Sequence, residues 1–177
     1  KHGSLPRDVH RRRDGVFALS QARELHAAGQ LDASHAKAEE ANKLTPSLVP
    51  AAILSAQGYM EKDKPKLASK ILRAAWSIEP HPELAAGFAA IVTNETPTER
   101  LVRFLALTKI TPSHPETKML LAELNIAAEK FDQARLEMGD LASSNPTMRS
   151  FTILAAIVRG EGGSDKYIRE ILMAALS

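Results

Sequence analysis

Apolar residues along this chain recur at intervals of three and four, and no stretch alternates apolar with polar long enough to argue a strand. Val16, Leu19, Ala22 and Leu25 set the spacing of a first helix that starts near Asp8 or Asp14 and reaches Ala28. Tyr167, Ile168, Ile171, Leu172 and Ala175 give the last helix, 164–176, an apolar stripe expected to cover the end of the fold. Between them, local turn chemistry sets the boundaries. Gly29 ends the first helix at a position that needs positive φ. Asp32 is expected to cap a second helix that runs to Leu44, where Thr45-Pro46 stops it. Further helices are predicted over 47–61, 65–78, 82–92, 97–109, 115–128, 131–143 and 147–159. Pro65 suits a first helical turn, where its missing N–H is no loss. Thr96 with Glu99 reads as a capping box, and Gly160-Glu161-Gly162-Gly163 as a hairpin turn. The fold class is all-α.

The links between helices keep a period. Pro46, Pro80, Pro112 and Pro146 are separated by 34, 32 and 34 residues. Such an interval fits one helix-turn-helix unit and predicts a solenoid of about four to five helix pairs. The residues 5, 8 and 12 positions before Pro46 are Ala41, Ala38 and Ser34; before Pro80 they are Ala75, Leu72 and Ala68; before Pro146, Leu141, Met138 and Ala134. Small or apolar residues therefore recur where helices must approach closely. Gly29, Asp63 and Glu129 fall 17 residues before the same prolines, where the hairpin turns. The expected organisation is a basic lead-in, 1–14, followed by one repeat domain, 15–177, in units of about 15–46, 47–80, 81–112, 113–146 and 147–177.

Composition narrows the function. Hydrophobic residues make up 44% and aromatic residues only 5%, which suits closely packed helices. A formal charge of +2 gives no strong overall field for nucleic acid, and without cysteine there are no disulfides, thiolate metal sites or cysteine nucleophiles. No apolar run reaches the roughly 18 residues that span a bilayer. The lead-in, with Lys1, His2, Arg7, His10 and Arg11-Arg12-Arg13, reads either as a solvated tail and first helical turn or as a segment next to a membrane surface or anionic partner.

The period and its small-residue positions resemble the tetratricopeptide repeat family, with Tyr59 before the Asp63 turn and Phe131 opening a second helix among the shared landmarks. The family's tryptophan near the start of the first helix is missing, Leu25 and Asn125 stand in place of its tyrosine, and the third unit is two residues short. A narrower resemblance lies in Ala75-Trp76, then Pro80-His81-Pro82-Glu83-Leu84-Ala85, preceded by the segment from Leu44 to Ala52. These are similar to the proteobacterial HemY family, tetratricopeptide proteins encoded with haem-biosynthesis genes and anchored in the inner membrane by N-terminal helices. The resemblance implies that the chain, which opens with Lys1, is the soluble part of a longer bacterial protein, cytoplasmic and held at the inner membrane by an anchor outside it. It also implies haem-pathway enzymes as partners.

His81-Pro82-Glu83 and His114-Pro115-Glu116 repeat one tripeptide at the start of successive units. The arrangement suits helix starts, with histidine at the cap, proline in the first turn and glutamate near the positive helix end; the competing reading makes the histidines haem-iron ligands. His26 and His35 flank a turn without a third metal ligand. Ser20, Ser34, Ser55 and Ser69 have no identifiable base, Glu39 and Glu40 face different directions on one helix, and the glycine-rich turn lacks the Lys and Ser/Thr of a phosphate loop. The expectation is a non-enzyme with no cofactor and no metal.

What the tetratricopeptide resemblance implies is a concave surface formed by the first helix of each hairpin. By position, that surface takes Leu19, Arg23 and His26 from the first unit and Ile53, Gln57 and Met60 from the second. Met119, Glu123 and Ile126 come from the fourth, and Ile153 and Ile157 from the fifth. It is largely apolar and suits a protein or peptide with a hydrophobic or amphipathic segment. Two function classes follow: an interaction scaffold for haem-biosynthesis proteins, or a carrier or sensor that binds porphyrin or haem directly.

Overall fold

The computed structural model describes residues 7–176; Lys1 and His2, with the rest of 1–6, and Ser177 lie outside the described residues. The described residues are all-α, and their repeating element is a helical hairpin. The chain forms two compact units, 1–93 and 94–177. In the first lie α1 (Arg7–Ala27), α2 (Leu31–Leu44), α3 (Val49–Glu61), α4 (Pro65–Ile78) and α5 (Pro82–Ala90). The second holds α6 (Pro97–Thr108), α7 (Pro115–Ala127), α8 (Phe131–Met138), α9 (Leu141–Ser144), α10 (Met148–Gly160) and α11 (Asp165–Ala174). The segment 81–112, expected as one hairpin, is thus shared out. Its first helix, α5, packs on α3 and α4 within the first unit, and its second, α6, packs on α7 within the second.

The periodic prolines stand in the links after α2, α4, α6 and α9. Pro46, Pro80 and Pro146 each directly follow a C-cap residue, where a proline cannot continue the helix. The turn inside four of the hairpins is just as regular. At Gly29, Asp63, Glu129 and Gly162 the backbone takes φ of 73°, 53°, 56° and 81°. The amide of the next residue then reaches back five residues: Gln30 to the Leu25 carbonyl (2.9 Å), Lys64 to Tyr59 (2.8 Å), Lys130 to Asn125 (2.8 Å) and Gly163 to Val158 (2.8 Å). Each is a Schellman closure that satisfies helix-end carbonyls. Two of the four left-handed positions carry Asp63 and Glu129 rather than glycine.

The positions 5, 8 and 12 before Pro46, Pro80 and Pro146 are all buried. They form the inner face of α2, α4 and the α8–α9 segment. In the first unit this face is mostly alanine: Ala38, Ala41 and Ala68 are buried, as are Ala18, Ala22, Ala51, Ala52 and Ala56, and Ala41 packs with Ala18 and Ala51. Gly15 extends the approach, since a Cβ there would stand 2.3 Å from Thr45 Oγ1. The second unit is filled by larger side chains, with Met119, Met138, Leu141, Ile153 and Ile157 in one cluster and Ala155, Val158, Ile168 and Ile171 in another.

Three features differ from the expected ones. The helix predicted over 131–143 breaks, because Gly139 adopts φ 52° and ψ −129°, a region open only to glycine, and α9 restarts two residues later. Asp32 does not cap α2. The N-cap is Gln30, and Asp32 stands in the first turn with its carboxylate 3.2 Å from Lys62 Nζ. In α11 only Ile168 and Ile171 of the apolar stripe are buried, whereas Tyr167 and Leu172 are exposed. The capping box of Thr96 and Glu99 is present.

Candidate partner-binding groove

Within the first unit, the end of α1 and the helices α3, α4 and α5 enclose an open cavity of about 430 Å³. Four residues of the expected surface line it: His26, Ile53, Gln57 and Met60. They come together because Ile53, Gln57 and Met60 recur at helical spacing on α3, and because the Gly29 turn brings the end of α1 beside them. Apolar surface dominates the wall. Glu61 adds a polar side, its Oε1 lying 3.9 Å from His26 Nε2 with both side chains about half exposed.

The opposite wall was not marked by the sequence. It consists of Ala68 and Leu72 on α4 and Gly87, Ala90 and Ile91 at the end of α5. Gly87 sits inside a helix at ordinary φ, a placement that costs about 1 kcal/mol relative to alanine unless space is needed. A Cβ on Gly87 would make ordinary van der Waals contact with the two methyl carbons of Leu72, at 3.4 and 3.5 Å, so alanine fits the space as well.

The other expected contact residues are placed differently. Leu19 is buried with Ala18, Ala41 and Ala51, and Arg23 is exposed outside the groove lining. In the second unit, Met119, Ile153 and Ile157 are buried in one core cluster, and Ile126 packs against it. Glu123 is occupied by Arg149. The guanidinium donates through Nε and Nη2 to Glu123 (both 2.8 Å) and through Nη1 to the two oxygens of Glu116 (2.6 and 2.7 Å). These bonds tie α10 to α7 and raise the Arg149 pKa, Glu123 contributing most.

His81 and His114 are N-caps. Each accepts at Nδ1 from the backbone N–H of the glutamate two residues on, at 3.2 Å for Glu83 and 3.1 Å for Glu116. Neither lines the groove. His26 and His35 also part ways. The His35 ring is buried between α2 and α3, edge-on to Tyr59 at 4.6 Å between centroids, with Nδ1 2.8 Å from Lys62 Nζ. Burial, with the Lys62 charge second, lowers its pKa. An ammonium at that distance opposes a metal ion at the same nitrogen. Glu39 accepts a short hydrogen bond from the Tyr59 hydroxyl, which raises the Tyr59 pKa. Ser34 is buried and donates to the Ala22 carbonyl at 2.8 Å. These groups brace the first unit.

No family model and no curated protein matches the chain. Among solved structures it is similar to YrrB, a TPR protein with an unusual peptide-binding site, at 16% identity over 92% of this chain and 85% of that one, with a TM-score of 0.49. It is similar also to the MamA protein, at 14% identity over 92% of this chain and 90% of that one, again with a TM-score of 0.49.

At this level of similarity the binding chemistry has to come from the chain's own residues, and these make the groove of the first unit the candidate site. Among the described residues no helix is long and apolar enough to cross a membrane.

Proposed function

We propose that the chain is a non-catalytic scaffold for protein–protein interaction and that its first unit receives an apolar or amphipathic helical segment of a partner. The observation that carries this reading is the groove itself. Ile53, Met60 and Ile91 offer apolar contacts between two helical walls, while His26, Gln57 and Glu61 supply polar contacts. A helix laid into such a groove buries one apolar stripe and keeps its polar face in water.

The resemblance around Trp76 and Pro80–Ala85 makes haem-biosynthesis proteins of the bacterial inner membrane the first partners to screen. No family match supports that resemblance, and placement at a membrane by a separate anchor rests on it alone. The porphyrin-carrier reading has no observation in its favour, because His81 and His114 cap helices and neither faces the groove.

The test is capture in cells with a photo-crosslinking residue at Gln57, followed by titration of the captured segment as a synthetic peptide. Ile53→Asp and Met60→Asp should each weaken binding by about tenfold or more, as expected for apolar anchors at the centre of an interface. Unchanged affinity in both folded variants would remove the groove as the site.

A further inference from the structure

Beside the groove, between α2 and α3, runs a narrow seam without room for a water molecule. His26, Gln57 and Glu61 line both the groove and the seam, and His35 closes the seam from α2. Glu61, the one acid in the groove lining among the described residues, therefore stands between two imidazoles. The His35 Nδ1 lies 2.8 Å from Lys62 Nζ. An ammonium only donates, so Nδ1 accepts and the neutral ring carries its hydrogen on Nε2. A second proton has one place to go. It enters at Nδ1, where Lys62 donates, and turns a hydrogen bond into two cations in contact.

The ring has no room to step aside, because Gly58 and Tyr59 pack against it. Lys62 does have room: its Nζ already lies 3.2 Å from the carboxylate of Asp32, an exposed side chain. The groups that face the ring are Asp32 and Glu39 on its own helix, Tyr59, Glu61 and Lys62 on α3, and His26 at the end of α1. Asp32 is engaged by Lys62 and Glu39 by the Tyr59 hydroxyl. Glu61 is held only by its 3.9 Å approach to His26, and its charge already favours a proton on His35, against burial and Lys62. It is the carboxylate left to answer a new charge on the ring. We propose that a proton on His35 draws Glu61 off the groove wall, so that on acidification the groove loses its acid and its hold on a basic residue of the partner. The inference rests on the groove being the partner site. His26 works in the opposite sense, since a proton there holds Glu61 in place.

The chain has no cysteine, so Gln57→Cys places a single exposed thiol on the groove for an environment-sensitive dye such as acrylodan. Emission of the labelled full chain is followed from about pH 8 to about pH 5, with circular dichroism to show that it stays folded. One step is expected, centred below pH 6.5. His35→Gln and Glu61→Gln should each abolish the step, and His26→Gln should keep it. Lys62→Met should move it to higher pH, because the opposing cation is gone. Lys62 is partly exposed, so this last variant decides the matter if His35→Gln does not fold. The proposal is overturned by a flat trace, by a step that survives His35→Gln or Glu61→Gln, by its loss in His26→Gln, or by a Lys62→Met step that does not move upward. The titration uses no partner, so a flat trace leaves the groove standing as the binding site. A captured peptide indifferent to Ile53→Asp and Met60→Asp would instead remove the groove and leave the step in place.

Discussion

Gly58 lies directly against the imidazole of His35, so closely that a Cβ placed on Gly58 would stand 2.3 Å from the ring Cδ2 and 2.5 Å from Cγ. The contact sets the approach of α2 to α3. It also explains a glycine in the middle of α3, where alanine would favour the helix by about 1 kcal/mol. Gly58→Ala should nevertheless destabilise the protein by about 1–3 kcal/mol, because His35 cannot move without losing Lys62 and Tyr59. Urea unfolding decides this, and a gain in stability would show that the ring yields easily.

The left-handed residues at two hairpin turns suggest the opposite kind of substitution. Asp63 and Glu129 occupy φ of 53° and 56°, where a side chain costs roughly 1–2 kcal/mol. Glycine removes that strain but gives part of the gain back through a freer unfolded chain. Asp63→Gly and Glu129→Gly are each expected to raise stability by about 0.5–1 kcal/mol. Thermal melts of the two single variants and of the double variant test the expectation, and a fall in both singles refutes it.

Trp76 is fully buried, and among the described residues its indole Nε1 has no hydrogen-bond partner. What the ring contributes is therefore volume and contact. Trp76→Phe should cost no more than about 1–2 kcal/mol, and Trp76→Ala about 3–5 kcal/mol because of the cavity it leaves. Similar losses for both, measured by denaturant unfolding followed by circular dichroism, would mean that the N–H is satisfied in solution.

Acid should act on the second unit through Glu95. Its carboxylate accepts from Arg100 Nε at 2.9 Å and from Arg103 Nε at 2.7 Å, and the Arg103 bonds above all hold its pKa down to about 2 against an ordinary 4.5. A carboxylate whose folded pKa is depressed adds stability that is present above its unfolded value and lost as pH falls toward the folded one. The unfolding midpoint should therefore fall between pH 4.5 and 2, and Glu95→Gln should flatten that stretch while costing about 1.5–3 kcal/mol at neutral pH. Parallel pH profiles for the variant and the wild type would contradict the assignment. Since burial and Lys62 lower the His35 pKa, stability in the first unit should already decline as pH drops below 6.5.

Much of this structure is legible in local sequence because local chemistry determines it. A proline after a C-cap, a positive-φ turn 17 residues earlier and a histidine whose ring caps its own helix all act within a few residues. The third hairpin shows the limit. Glu95 stands at the turn offset before Pro112 but at ordinary φ, and it binds two arginines instead. Helical spacing also identified Leu19, Met119, Ile153 and Ile157 as apolar without telling which neighbouring helix covers them. The pairing of Glu123 with Arg149 spans 26 residues, and the α5 wall of the groove depends on how α5 settles onto α3 and α4. Nothing in those segments alone encodes either. Gly139 was visible as a residue, but its backbone angles come from the packing on both sides of it.

The alanine seam of the first unit bears on how the gene can drift. Most cores erode by truncation, a large side chain giving way to a smaller one. At Ala22, Ala38, Ala41, Ala51, Ala52 and Ala68, all fully buried, only glycine is smaller. Every other replacement reachable by one base change from an alanine codon (serine, threonine, proline, valine, aspartate or glutamate) adds bulk, charge or a backbone block where two helices already touch. Drift at this seam therefore meets a wall rather than a slope, and an alignment of related genes should show it as columns of alanine with the occasional glycine or serine.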